Sequence, residues 1–165
     1  MRAMVARDES GQAALLLALA AIVLMAAAGL AADSGWTFVQ TQLTQNAADA
    51  AARAAAREIV YQQFASADTS GTTLAETNLS VPTTQHSAIL SYSSIPAADP
   101  QDESVWYSGP PSASTRTARA RVQVTFGTLF MGVVGIQTKT VTATSVVTIY
   151  NTTPFPSWDT LFPLA

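Results

Sequence analysis

The chain has 165 residues, of which 48% are hydrophobic and only 12% are charged, against about 25% charged in an ordinary soluble domain. This low charge and the positive mean hydropathy exclude a solvated disordered protein, and eight basic against eleven acidic side chains argue against a nucleic-acid-binding face. The sequence has no cysteine and a single histidine, His86, which excludes disulfides, thiol catalysis and multi-histidine metal sites and favours a membrane or envelope protein.

The first predicted element is an apolar helix over residues 11–32, a run of 22 residues without a charge. Such a helix is about 33 Å long, enough to cross a hydrocarbon core of about 30 Å. Two arginines precede it and no basic residue follows before Arg53, so the positive-inside rule predicts a cytoplasmic N-terminus and an extracytoplasmic chain after Asp33. The residues expected to anchor the helix in lipid are Leu15, Leu16, Leu17, Leu19, Ile22, Val23, Leu24, Met25 and Leu30.

Two other interpretations of this helix compete with an uncleaved anchor. The small residues at 26–28 and 29–31 are possible cleavage sites of a secretory signal, although the apolar run is longer than is usual for one. A buried core helix is the third and least favoured interpretation. The small residues of 26–32 would also permit close helix–helix contact in lipid, unless they reflect only the abundance of alanine.

A second helical stretch follows, free of proline over residues 36–64 and rich in alanine over 46–58. Polar side chains lie along it at helical spacing, and Asp49 precedes Arg53 by four residues, the favourable order for an ion pair. Asn46, Asp49 and Arg53 are candidate contacts to partner subunits. Gly35 is a possible break in the helix near the membrane surface, where Trp36 is suited to the interface.

Three segments carry a resemblance to a known family. Arg7-Asp8-Glu9-Ser10-Gly11-Gln12 leads into the apolar run, Gly29-Leu30-Ala31-Ala32-Asp33 ends it, and Leu43-Thr44-Gln45-Asn46-Ala47-Ala48-Asp49-Ala50-Ala51-Ala52 follows. Over roughly the first 58 residues the chain resembles the TadE/TadG-like family of Flp (tight adherence) pilus-assembly proteins. The resemblance implies a bacterial, pilin-like structural subunit. Leu16 stands where Flp-type prepilins carry glutamate, five residues after the cleaved glycine, so prepilin cleavage at Gly11 is not predicted.

The rest of the chain is predicted to form a small β-rich domain. Short strands are predicted at 88–92 and 104–107, between loops rich in serine, threonine and proline. Apolar residues alternate with polar ones over 118–126 and again over 138–149, where threonine occupies one face. A period of two indicates half-buried strands, so we expect these two to form an antiparallel pair.

The connection between the paired strands is unusual because residues 126–136 are almost wholly apolar. One interpretation is contact with the membrane or a partner, which makes Phe130 and Met131 candidate contact residues. The interpretation we favour is that the connection folds back over the sheet as core. The C-terminal tail contains three prolines after Asn151, and its aromatic residues either bind another protein or pack on their own domain. The aromatic candidates in this tail are Phe155, Trp158 and Phe162.

No residue pattern points to catalysis. His86 is expected in an exposed loop, and Asp99, Asp102 and Glu103 are expected to form a solvated acidic loop, since they lack a calcium-loop pattern. No nucleophile elbow or phosphate-binding loop occurs. We therefore predict no catalytic residue, no cofactor and no metal ligand.

Together these features predict an α+β membrane protein in which one transmembrane helix continues into a long extracytoplasmic helix, followed by a small antiparallel sheet. The predicted function is a non-enzymatic subunit of pilus assembly, in contact with lipid and with other membrane or pilus-assembly subunits but not with nucleic acid or a small-molecule substrate. The alternative is an accessory subunit of another membrane complex. The predicted segments are a cytoplasmic N-terminus (1–10), the transmembrane helix (11–33), the Ala-rich helix (34–64), the β-rich domain (65–150) and the tail (151–165).

Overall fold

The computed structural model describes residues 10–79 and 85–150. Within them the chain forms two helices and three strands, together with short 3-10 turns at Phe64–Ser66, Glu103–Val105 and Met131–Val134. The predicted α+β class, with an N-terminal apolar helix and a small antiparallel sheet, is confirmed. The helices are α1 (Ser10–Val60) and α2 (Ala67–Asn78), and the strands are β1 (His86–Ser93), β2 (Thr117–Gly127) and β3 (Thr138–Thr148).

The chain divides into two compact units. The first holds α1 up to Val39 together with Phe126–Lys139, and the second holds Gln40–Thr125 together with the described residues from Thr140 onward. Helix α1 continues through Gly35, so the possible break there does not occur. It ends at Val60, and Gln62 then adopts a left-handed φ of 61°.

In the second unit, α1 buries a face made of alanine. Ala47, Ala48, Ala51, Ala52 and Ala55 are almost completely shielded from solvent. Helix α2 packs closely on this face, because a Cβ added at Gly71 would lie 3.1 Å from the Ala51 carbonyl oxygen and 2.6 Å from Leu90 Cδ1 of β1. Glycine at this position therefore permits the contacts of α2 with both α1 and β1.

Replacing Gly71 with valine is expected to lower the free energy of unfolding by about 2–3 kcal/mol, because the new side chain overpacks this contact. The matched control is Thr73→Val, an exposed position on the same helix, for which a change within about 0.5 kcal/mol is expected. Urea unfolding of the full chain in detergent measures both variants. Equal stability of the two variants would contradict the close contact at Gly71.

The three strands form one sheet in the order β1-β2-β3, with β1 antiparallel to β2 in a register that pairs Leu90 with Ala120. The predicted alternation in β2 is confirmed, since its apolar residues from Ala118 to Phe126 are buried. In β3, Ala143 is buried while the threonines from Thr138 to Thr144 are exposed. This agrees with the prediction of a threonine-covered face.

Tyr92 of β1 connects the sheet to α2 through a hydrogen bond. Its side chain is fully buried, and its hydroxyl donates a hydrogen bond of 2.5 Å to Asp68 Oδ1. Burial and the neighbouring Asp68 carboxylate raise the pKa of Tyr92 well above its ordinary value of 10.0. The neutral phenol is thus the form that the fold stabilises.

A pH dependence follows for Tyr92. Because its pKa is higher in the folded state, its contribution to stability is complete below the unfolded pKa and declines as the pH rises above it. We expect the stability difference between the wild type and Tyr92→Phe to be constant up to about pH 9 and to shift against the wild type by about pH 11. Urea unfolding of both chains at each pH checks this, and a difference that is constant throughout would contradict the buried, neutral phenol.

The other face of the sheet is covered by the segment between β1 and β2, and the structure corrects two sequence predictions. Residues 103–105 form a 3-10 turn, and only Tyr107 pairs with β1, through Tyr92. The short apolar run around Trp106 therefore does not form a strand. His86 is the half-buried first residue of β1 and does not lie in an exposed loop. The acidic residues Asp99, Asp102 and Glu103 are exposed, as predicted, and Glu103 also forms an ion pair with Arg119 of β2.

Arg119 of β2 is the centre of this covering layer. The alternation places it on a polar face, yet it is only 7% exposed. Its guanidinium donates two hydrogen bonds of 3.0 and 2.8 Å to the Glu103 carboxylate, and others of 3.0 Å to Ser91 Oγ and to the Pro100 carbonyl oxygen. The guanidinium carbon also lies 4.6 Å from the ring centroid of Trp106. These interactions hold the covering segment on the sheet.

Candidate functional site

The first unit contains the apolar part of α1, whose side chains are exposed. All nine residues predicted to anchor the chain, from Leu15 to Leu30, are exposed. By length and composition α1 has a segment able to cross a membrane, and only 6% of its most apolar window is buried. The interpretation of this segment as a buried core helix is wrong, because its apolar side chains have no protein cover in the described residues.

Asp33 closes the apolar segment and binds the connection between β2 and β3. Its buried carboxylate accepts hydrogen bonds from the main-chain amides of Leu129 (2.7 Å), Phe130 (3.1 and 3.2 Å) and Met131 (2.6 Å). We call these four residues the Asp33 clamp. Bonds between a carboxylate and main-chain amides are charge-assisted and strong, so the clamp ties a connection from the sheet to the end of the apolar helix.

Gly29, one helical turn before Asp33, gives the clamp its second contact. A Cβ added at Gly29 would lie 2.9 Å from both Cβ and Cγ of Phe130. Only glycine permits this approach without displacement of the aromatic side chain. Gly29 and Asp33 are therefore on one side of α1, where the first fits the side chain of Phe130 and the second binds its main chain.

Replacing Gly29 with leucine is expected to displace Phe130 and weaken the clamp. Overpacking costs about 1–3 kcal/mol, so the amides of 129–131 should exchange with solvent roughly tenfold faster or more. Gly35→Leu is the matched control, since nothing lies within 4 Å of a Cβ at Gly35 of the same helix. Hydrogen exchange measured by mass spectrometry on the full chain in detergent compares the two. The same exchange in both variants would contradict the contact between Gly29 and Phe130.

The connection does not fold back over the sheet as core, so that prediction is wrong. Leu129 is 64% exposed, Phe130 53% and Val133 91%. The physical reason is the clamp, which fixes the main chain of 129–131 to α1 while the apolar side chains remain exposed. Of the two predicted contact residues in this connection, Phe130 is exposed and Met131 is half-buried.

The remaining predicted contact residues fall in different places. Asn46 and Arg53 are exposed on α1 in the second unit, and Asp49 is half-buried. The expected Asp49–Arg53 ion pair does not form, since the ion pairs in the described residues are those of Glu103 with Arg119 and Arg121. Asp49 accepts a hydrogen bond of 3.1 Å from Gln45 Nε2 instead. Phe155, Trp158 and Phe162 lie outside the described residues.

Sequence reasoning did not find the clamp. Asp33 was interpreted only as the end of the apolar segment and Gly29 only as one of several small residues. The sequence does contain one signal for the clamp. Gly29 and Asp33 lie one helical turn apart in a segment that otherwise consists mainly of alanine and leucine. Nothing in the sequence identifies Leu129–Met131 as their partner. Within residues 10–79 and 85–150, no group of three or more His, Asp or Glu side chains is placed to hold a metal ion.

Comparison with known proteins agrees with this architecture. Residues 11–58, which include the apolar segment and the whole alanine face, match the model of a family described as "Putative Flp pilus-assembly TadE/G-like". The resemblance predicted from the sequence is thereby confirmed over this segment, which is 48 of the 165 residues. No curated protein and no solved structure matches the chain.

Proposed function

We propose that the chain is a non-enzymatic, single-pass membrane subunit of tight-adherence (Flp) pilus assembly. Residues 1–10 are cytoplasmic, α1 spans the cytoplasmic membrane over residues 11–33, and the rest of the chain is extracytoplasmic. In this proposal the Ala-rich part of α1 and the sheet domain contact neighbouring pilus-assembly subunits.

The proposal rests mainly on the overlap between the family match and the exposed apolar helix. The segment that matches the pilus-assembly family, residues 11–58, begins with the exposed apolar helix and continues into a helix packed within the second unit. Exposed apolar side chains along about 33 Å of helix are stable in lipid and not in water. The absence of any basic residue between Arg7 and Arg53 supports the proposed orientation.

A structural role is also supported by the way the acidic side chains are used. Asp33 binds three main-chain amides, Glu103 pairs with Arg119, and Asp68 accepts the Tyr92 hydroxyl. These carboxylates hold elements of the fold together. The partner contacts that we propose are the exposed Asn46 and Arg53, the adjacent Asp49, and the aromatic residues of the tail.

Topology is tested by thiol labelling, for which a cysteine-free chain is well suited. Ala3→Cys and Ser94→Cys each supply one thiol, and a membrane-impermeant maleimide is applied to intact cells with a permeable outer membrane. We expect labelling at residue 94 and none at residue 3 until the membrane is opened. Labelling at both, or release of the chain from washed membranes, would overturn the anchored topology.

The pilus role is tested by purifying the tagged full chain from membranes with mild detergent. We expect co-purification of Flp pilus components, including the secretion ATPase complex. A stable complex with an unrelated membrane assembly would instead establish the accessory-subunit alternative. Sequencing the N-terminus of the same material distinguishes an intact anchor from a start near Gly29 or Asp33, which would mean a cleaved signal.

A further inference from the structure

We propose that the apolar connection held by the Asp33 clamp, Leu129–Ile136, is a second membrane-contacting element that enters the interfacial region of the lipid bilayer beside the outer end of the anchor helix. This inference rests on the proposed membrane anchor. It adds to it a specific contact between the extracytoplasmic domain and lipid.

The side chains of this segment are suited to lipid and not to water. Leu129–Ile136 contains only Leu, Phe, Met, Gly, Val and Ile, and Leu129, Phe130, Val133 and Ile136 are all exposed. Such a contiguous exposed apolar patch marks an interaction surface. The first charged residue after it is Lys139, which is exposed and is long enough to keep its ammonium group in the headgroup layer.

Six of the eight main-chain amides of the segment have hydrogen-bond partners within the protein. The amides of Leu129, Phe130 and Met131 bind Asp33, and those of Val133, Gly135 and Ile136 bind carbonyl oxygens at Phe130, Gly132 and Met131. Thr128 and Gln137 close the base through a 3.0 Å main-chain hydrogen bond. A main-chain polar group without a partner is costly in lipid, so these internal hydrogen bonds lower the cost of placing the segment in the interfacial region.

The position of the segment favours lipid over another protein as the partner that covers its exposed apolar side chains. Phe130 lies against Gly29, which is still inside the uncharged run of α1, while Asp33 marks its end. The exposed aromatic residues Trp36 and Phe38 follow within about one and a half turns, where interfacial aromatic rings are favoured. The apolar patch is thus continuous with the apolar surface of the helix at the depth of the interface.

Spin labels on single cysteines test the contact directly. Val133→Cys reports on the segment, Leu24→Cys on the anchor and Ser94→Cys on the exposed part of the second unit. Each full chain is labelled with a nitroxide and placed in nanodiscs of phosphatidylethanolamine and phosphatidylglycerol. Electron paramagnetic resonance then compares relaxation by oxygen, which concentrates in lipid, with relaxation by a nickel chelate, which stays in water.

We expect the oxygen-to-nickel accessibility ratio at Val133 to be several times that at Ser94 and below that at Leu24. A ratio at Val133 equal to that at Ser94, with Leu24 still in lipid, would overturn this inference and leave the anchor intact. A label at Val133 that neither reagent reaches would also overturn it, in favour of a protein partner or second copy. A water-exposed label at Leu24 would overturn the proposed anchor itself.

Discussion

Replacing Arg119 with alanine is expected to lower the free energy of unfolding by about 3 kcal/mol, which makes it one of the largest effects in the chain. The substitution leaves the buried Ser91 hydroxyl without its 3.0 Å donor and removes the cation that faces Trp106. The covering segment then loses its main attachment to the sheet. Urea unfolding of the full chain in detergent, followed by tryptophan fluorescence, measures the loss.

Arg121 provides the matched control. It lies two residues along β2 and approaches the same Glu103 carboxylate at 3.9 Å, but its side chain is 56% exposed. Exposed ion pairs contribute little, so Arg121→Ala should change stability by less than about 0.5 kcal/mol. Arg119→Lys keeps the charge but not the planar fork and should fall between the two. Equal losses for Arg119→Ala and Arg121→Ala would show that burial at Arg119 contributes nothing.

Replacing Asp33 with alanine is expected to release the clamp while α1 remains helical. Three main-chain amides lose their acceptor at once. The amides of 129–131 should then exchange at nearly the rate of unprotected amides. Hydrogen exchange by mass spectrometry on the full chain in detergent reports the change at these positions.

Two variants make the result specific to the clamp. Asp33→Asn keeps one acceptor oxygen and should preserve part of the protection. Asp49→Ala removes a carboxylate from the same helix that accepts a hydrogen bond from Gln45 Nε2, so it should leave exchange at 129–131 unchanged. If Asp33→Ala also leaves these amides protected, the connection is held by something other than the carboxylate.

Local sequence periodicity correctly predicted those elements in which the pattern of apolar and polar residues by itself determines which side chains are buried. The apolar run gave the first part of α1, and the alternation from Ala118 to Phe126 gave β2 with the correct buried face. Helix α2 was missed because Ala67–Asn78 is rich in threonine and its buried stripe consists only of the small residues Ala67, Gly71 and Ala75, which give a weak apolar signal. Its helix depends on contacts of Gly71 with α1 and β1, which are distant in sequence.

The Arg119 layer and the Asp33 clamp both depend on contacts between residues far apart in sequence, which no local sequence pattern predicts. Arg119 meets Glu103 across 16 residues and Asp33 meets Leu129 across 96. The alternation of β2 places Arg119 on a polar face, and Asp33 is predicted only to end the apolar segment, but both side chains are buried by remote segments. The sequence contained the charges, but the position of the segments that cover them is a property of the fold.

The alanine face of α1 has a consequence for how this protein tolerates change. The side chains of Ala47, Ala48, Ala51, Ala52 and Ala55 are almost completely buried, so we expect saturation mutagenesis to retain little besides alanine, glycine and serine there. Along residues 11–32, apart from Gly29, which must accommodate Phe130, the same assay should accept exchange among apolar residues of helical propensity. Side-chain size is therefore the quantity under selection in one half of the helix, and hydropathy in the other.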